Sequence, residues 1–267
     1  MQRLLTALVL LPILLLVIIK GTPWIFALLL VLLTGIGLHE FYQMAFPGRN
    51  QEFLPFCLIG ALTPLLPLLS DMRLILGGIT LLFIAAAFHV LFRFSSIQTA
   101  ASDIGLLVLS LIYIPLLMTH IQLVRQLDHG VNWLLLIMLI VMTNDSAAYY
   151  TGCRFGKHRL YEAVSPKKSI EGSLGGLVGS YIGTLVAKYT FFPELGLIDL
   201  LVAPLLIGSI GQLGDLFESL LKRSFGVKDS GTIFPGHGGV LDRLDSIIVA
   251  APITYYYALF LFRGGAL

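Results

Sequence analysis

Carboxylates inside greasy segments are where this sequence could do chemistry. Asp215 stands in "IGSIGQLGDLFESLLKR", while Asp242 and Asp245 stand in "KDSGTIFPGHGGVLDRLDS", residues 228–246. An ionisable side chain in an apolar span is costly and marks function by default. Gln212, Asp215 and Glu218 recur every three residues with Lys222 one turn on, so they share a helical face. Glu218 and Lys222, at i and i+4, also read as an ordinary ion pair at a membrane edge. Asp242 and Asp245 lie on one face if a helix begins there, and acids at a helix start also act as caps and dipole partners. That blander reading suits one aspartate better than two with Arg243 between them. Hard cations such as Mg²⁺ take oxygen ligands, often one or two carboxylates plus substrate phosphates. Asp215 and Asp242, with Asp245 behind them, are the candidate ligands. Zinc fits less well, since "HEFYQM" at His39 lacks the second histidine of an HExxH site.

Phosphate-handling groups accompany these acids. Gly236, Gly238 and Gly239 let backbone N–H groups approach an anion ahead of a helix start, although "GHGG" alone reads equally as a plain loop. His237 in the same loop is a candidate donor to phosphate or a loop-shaping residue. Lys228 and Arg243 flank the loop. A second cluster, "VSPKKSIEGSLGG", joins Lys167 and Lys168 to Ser165 and to glycines, and lysine binds phosphate as a point charge. Its alternative is a solvated positive loop that only fixes topology. The Ser-Pro start and glycine-rich exit favour a shaped loop. A third cluster, "MTNDSAAYYTG", places Asn144 and Asp145 at the end of an apolar run. His39, Glu40, His89 and His120 read as packing or interfacial residues.

The elements that must position these groups are membrane spans. The chain has 267 residues, 57% hydrophobic and only 12% charged, against about 25% charged in a soluble domain. It cannot cover a soluble surface. An all-α, polytopic integral membrane protein of about nine transmembrane helices is expected, near 4–19, 24–44, 53–70, 74–92, 104–124, 132–151, 173–192, 198–218 and 244–262. The first run is longer than a signal-peptide core and reads as an uncleaved span. Pro55, Pro64 and Pro67 predict a kinked or partly re-entrant third span. Cys57 and Cys153 form no CxxC pair, and no repeat of 20–50 residues stands out.

With the N-terminus inside, the inner loops receive twelve Lys and Arg, namely Arg3, Arg49, Arg93, Arg154, Lys157, Arg159, Lys167, Lys168, Lys222, Arg223, Lys228 and Arg243. The outer loops receive four, and Lys188 falls within a span. The positive-inside rule then puts both basic loops on the cytoplasmic face, where nucleotides are found. Residues 1–130 are N-terminal transmembrane helices, and 131–267 form a C-terminal catalytic region with cytoplasmic loops. Cations, carboxylates and glycine loops at one face suggest metal-assisted chemistry on a phosphate, with one reactant arriving from the membrane.

The run "SLLKRSFGVKDSGTIFPGHGGVLDRLDS" from Ser219 resembles the signature of the phosphatidate cytidylyltransferase family, the CDP-diacylglycerol synthases. The matching elements are Ser219, Lys222-Arg223, Lys228-Asp229, Pro235, His237-Gly238-Gly239, Asp242-Arg243 and Asp245, and "NDSAAYYTG" and "SPKKSIEG" are similar as well. The resemblance covers residues 143–246; the first 130 resemble the family only in being multi-span. It implies the reaction CTP + phosphatidate → CDP-diacylglycerol + pyrophosphate, in a multi-pass enzyme of a bacterial inner membrane. It further implies a homodimer, Mg²⁺, and a potassium ion as second metal, with no nucleic-acid partner. Asp215 and Asp242 would hold metal, with Asp245 as a further ligand or orienter. Lys167, Lys168, Lys222 and Lys228 would hold triphosphate or the lipid head group. Arg243 would stabilise charge, and Asn144 with Asp145 would line the same pocket. Two other readings use the same residues: a CTP-dependent polyprenol kinase, and a cation-coupled transporter routed through Asp145, Asp215 and Glu218. No related halves of a transporter are visible.

Overall fold

A computed structural model describes residues 2–69, 72–94, 96–233 and 238–264. His237, with Pro235 and Gly236, lies outside the described residues. The chain is 80% helical and divides into two units, Met1–Leu123 with Asp229–Leu241, and Val124–Lys228 with Asp242–Leu267.

The first unit opens with α1 (Gln2–Lys20) and α2 (Pro23–Ala45). Thr22 caps α2 by accepting from the Ile25 N–H, with Pro23 in the first turn, where its missing donor costs nothing. The third apolar run is broken as its prolines require. It comprises a 3₁₀ turn at Asn50–Phe53, α3 (Leu54–Ala61) and a second 3₁₀ stretch at Thr63–Leu69. Pro55 sits harmlessly in the first turn of α3, while Pro67 lies inside the second 3₁₀ stretch. Helix α4 (Met72–Arg93) follows. Then α5 (Ile97–Leu111) and α6 (Leu117–Gln126) join through a π-turn at Ile112–Leu116 that contains Pro115. The hydroxyls of Thr119 and Thr63 donate to the Pro115 carbonyl at 2.7 and 3.2 Å, so that carbonyl is satisfied by side chains within the irregular turn.

The second unit holds α7 (Gly130–Phe155), an antiparallel hairpin of β1 (Arg159–Tyr161) and β2 (Ser165–Ser169), then α8 (Ile170–Thr190), α9 (Leu197–Ser224) and α10 (Leu241–Phe260). Glycine packs α8 against α7. Gly172, Gly176, Gly179 and Gly183 are buried along one α8 face, and a Cβ on Gly179 would collide with the Thr143 carbonyl of α7. The glycines after Lys168 therefore serve helix packing rather than a loop. A methyl added there has nowhere to go, because a backbone carbonyl cannot swing aside. Gly179→Ala should destabilise by about 1–3 kcal/mol, read as a lower melting temperature in detergent. Gly77→Ala is the control, since nothing among the described residues lies within 4 Å of its added Cβ.

Six helical segments among the described residues are long and apolar enough to cross a membrane: Pro23–Ala45, Asn50–Leu69, Arg73–Arg93, Ile97–Gln126, Gly130–Phe155 and Leu197–Ser224. The remaining expected spans are helical but do not meet that measure. Leu11–Lys20 of α1 is a shorter apolar helix. Helix α8 is diluted by glycine and hydroxyl residues, and α10 carries Asp242, Arg243 and Asp245 in its first turns.

Candidate active site

Helices α7, α8 and α9 and the β1–β2 hairpin enclose a cavity of about 500 Å³. Its cationic wall comes from the hairpin, through Arg159, Lys167 and Lys168. Its acidic wall comes from Asp145 on α7 and Asp215 on α9. The two walls meet where Lys168 Nζ lies 2.5 Å from the Asp215 carboxylate. Helix α8 starts at this cavity. Its cap, Ser169, accepts from the Gly172 N–H at 3.1 Å, and the positive end of the helix adds to the lysines beside it. Glu171 fastens the hairpin to α8. It accepts from the His158 ring at 2.6 Å and from the backbone N–H groups of Lys157 and His158 at 3.1 and 3.2 Å. The His158 bond, then the backbone donors, hold its carboxyl well below an ordinary 4.5, down to about 2.

A buried polar chain forms the floor. Asn144 donates to Ser180 Oγ at 2.7 Å and accepts from Gln212 Nε2 at 2.9 Å, and Gln212 also donates to the Ser173 carbonyl at 3.0 Å. The Ser173 hydroxyl donates back to Gln212 Oε1. Asn144 is 2% exposed and spends its amide inside the protein, so it shapes the cavity more than it offers free donors to it.

An acidic row continues from Asp215 along α9. Lys222 bridges Glu218 at 2.9 Å and Asp242 at 2.6 Å, with the three side chains 12%, 1% and 6% exposed. The expected i, i+4 pair is thus part of a largely buried triad with Asp242. Asp245 accepts from the Ser246 N–H at 2.6 Å. It stands within electrostatic range of Asp215 and Glu218, as Asp145 does of Asp215, Lys168 and Arg243. Among the described residues Glu218 Oε1 is buried without an N–H or O–H donor, and Asp245, its carboxyl neighbour, is another acceptor unless it carries a proton.

Residues 1–261 match the cytidylyltransferase family. The chain belongs to that family. The phosphatidate cytidylyltransferase of Staphylococcus saprophyticus is 35% identical over 262 residues, covering 94% of this chain and 96% of the relative. That of Bacillus subtilis is 37% identical over 155 residues, 58% of each chain. That of Staphylococcus aureus is 46% identical over 126 residues, 47% of this chain and 48% of the relative. Membership leaves the polyprenol-kinase and transporter readings without support.

Against this family, the cavity gathers Asn144, Asp145, Lys167, Lys168 and Asp215. The triad gathers Lys222 and Asp242. Ser165 pairs with Tyr161 across the hairpin and does not line the cavity. Lys228 and Arg243 are exposed, and Gly238 takes a φ of 81° that a side chain rarely adopts. Gly239 packs on Glu40, where an added Cβ would lie 2.5 Å from the carboxyl. Two further residues line the cavity, Arg159 and Ser173. In the sequence Arg159 is one basic residue among several, and Ser173 is one hydroxyl in a glycine-rich run.

The donors present suit a hard divalent cation. They are all oxygens, and five carboxylates (Asp145, Asp215, Glu218, Asp242, Asp245) stand against Lys168, Lys222 and Arg243. The buried Glu218 and the half-buried Asp245 are neighbouring carboxyls, and such a pair needs a proton or a cation between them. No group of three His, Cys, Asp or Glu converges among the described residues. Mg²⁺ itself takes one or two carboxylates and completes its shell with water and phosphate.

Proposed function

We propose that this chain transfers CMP from CTP to phosphatidate, giving CDP-diacylglycerol and pyrophosphate, at the cytoplasmic face of a bacterial inner membrane. Family membership and full-length likeness to phosphatidate cytidylyltransferases support the reaction. The observation that carries it to named residues is the junction of the Arg159–Lys167–Lys168 wall with Asp215 in one cavity. A polyphosphate needs cations, and a lone cation wall would only bind it. The twelve-to-four bias of basic residues supports the orientation. The homodimer and a potassium ion as second metal rest on the resemblance alone.

The phosphate monoester of phosphatidate is already ionised at pH 7 and offers an anionic oxygen. It therefore needs no strong general base. A nonbridging oxygen attacks the α-phosphorus of CTP in line, the bond to the bridging oxygen of the β-phosphate breaks, and pyrophosphate departs with the electron pair. Lys167, Lys168 and Arg159 hold the triphosphate and take up charge on the leaving group. Lys222, Lys228 and Arg243 serve the lipid phosphate and the growing negative charge, with His237 as a further donor. Asp215 and Asp242, supported by Asp245, would hold Mg²⁺, which when bound neutralises the two phosphates that otherwise repel.

Glu171 supplies a separable test of the cation wall. Glu171→Gln should loosen the hairpin and raise the KM for CTP about three- to tenfold with little change in kcat. Its depressed pKa means the fastening is complete above pH 4.5 and fades only as pH falls toward about 2. The wild-type KM should therefore show no inflection from this group between pH 5 and 8. An unchanged KM in the variant would detach Glu171 from CTP binding.

The reaction itself is tested with purified protein in detergent, phosphatidate, Mg²⁺ and α-labelled CTP. Label is expected in the lipid phase, with pyrophosphate released in equal amount. Label moving instead from γ-labelled CTP to a polyprenol would replace this reading by the kinase.

A further inference from the structure

A carboxylate outside the acidic row, on α2, holds the residue that opens α10. Glu40 on α2 is 1% exposed. It accepts from the backbone N–H of Val240 at 2.9 Å, the backbone N–H of Leu241 at 3.0 Å and the Ser230 hydroxyl at 3.1 Å. Among the described residues its hydrogen-bond donors are these three uncharged groups. Burying a carboxylate without a counter-ion is costly, and a leucine would fill the same space without that cost. The N–H groups at a helix start have no partner within the helix, and a negative charge there is favourable. Glu40 therefore caps α10 from a different helix. Gly231 and Gly239 bear this out independently, since a Cβ on either would lie 2.5 Å from the Glu40 carboxyl.

We propose that Glu40 is a positioning residue for cytidylyl transfer. It holds Ser230, Val240 and Leu241, the residue that opens α10 and leads directly into Asp242, Arg243 and Asp245. The proposal rests on the reaction proposed above.

Glu40→Gln keeps the volume but turns an amide N–H₂ toward one of the two backbone donors. It is expected to lower kcat about ten- to a hundredfold, with the KM for CTP and for phosphatidate changed less than threefold and the melting temperature close to wild type. Gly231→Ala leaves Glu40 in place and only crowds it, so it should lower kcat similarly. Combined with Glu40→Ala, which removes the crowded group, Gly231→Ala should cost nothing further. Wild-type kcat in folded Glu40→Gln would overturn the proposal, as would independent, multiplying losses in the Gly231→Ala/Glu40→Ala pair. Failure of Glu40→Gln and Gly231→Ala alike to fold would assign Glu40 to the fold alone and overturn it too. The wild-type control separates the two levels: inactive wild type sinks the reaction, whereas active wild type with unaffected variants sinks only the role of Glu40.

Discussion

Asp215→Ala is expected to lower kcat for cytidylyl transfer about a thousandfold or more while leaving the protein folded. The two halves of that expectation have separate causes. Asp215 is the carboxylate shared by the cavity and the acidic row, so it stands where phosphate charge must be neutralised as the α-phosphorus is attacked. Its pairing with Lys168 contributes little to stability, because both side chains remain about 30% exposed and water screens the pair. Removing the carboxylate frees Lys168 for the triphosphate, so the KM for CTP should hold steady or fall as kcat collapses. Asp215→Asn should behave like the alanine variant, since the charge and not the volume is at issue. Steady-state kinetics and a melting curve on the same preparation check both halves. A loss of activity that follows a loss of fold, or a rise in KM at constant kcat, would return Asp215 to a merely structural or binding role.

The legible parts of this protein were those written within one or two helical turns. Asp215, Glu218 and Lys222 declared a common face by spacing alone, and Lys222 does reach Glu218. Spacing could not say that Asp242, from the next helix, completes the group. Pro55, Pro64 and Pro67 announced a broken third span because proline acts on its own backbone. The count of spans was less secure. Six segments meet a length and apolarity measure, because α8 trades apolar bulk for glycines that let it approach α7, and α10 begins in charged residues. Glycine misled in a second way. In a single sequence a glycine that admits phosphate looks like one that admits a neighbouring side chain, and only placement separates Gly239, against Glu40, from an anion loop. Glu40 itself was illegible, since its partners stand 190 to 201 positions away. A lone glutamate in a mean-apolar helix was the one signal it gave.

Lys222→Met should unfold more readily as well as turn over slowly, because it strands charges that the fold cannot hydrate. Lys222 is the cation between Glu218 and Asp242, and all three side chains are largely buried. Removing one partner of a buried ionic group typically costs about 3–5 kcal/mol. In a chain of this size that corresponds to a fall in melting temperature of roughly 10 °C. Lys222→Arg keeps the charge and should retain most of the stability. Glu218→Gln added to Lys222→Met removes one stranded charge and should recover part of the melting temperature, while activity stays low because the Lys222 ammonium is still missing beside Lys228 and Arg243. The stranded carboxylates also give a test of the metal reading that needs no turnover. A divalent cation can take the place of the lost ammonium, so millimolar Mg²⁺ should raise the melting temperature of Lys222→Met by several degrees more than that of wild type, through preferential binding to the folded state. If Lys222→Met melts like wild type, the triad is not the buried group its geometry describes. If it melts early but Mg²⁺ does nothing for it, Glu218, Asp242 and Asp245 do not hold a divalent ion, and the metal must be sought around Asp145 and Asp215 alone.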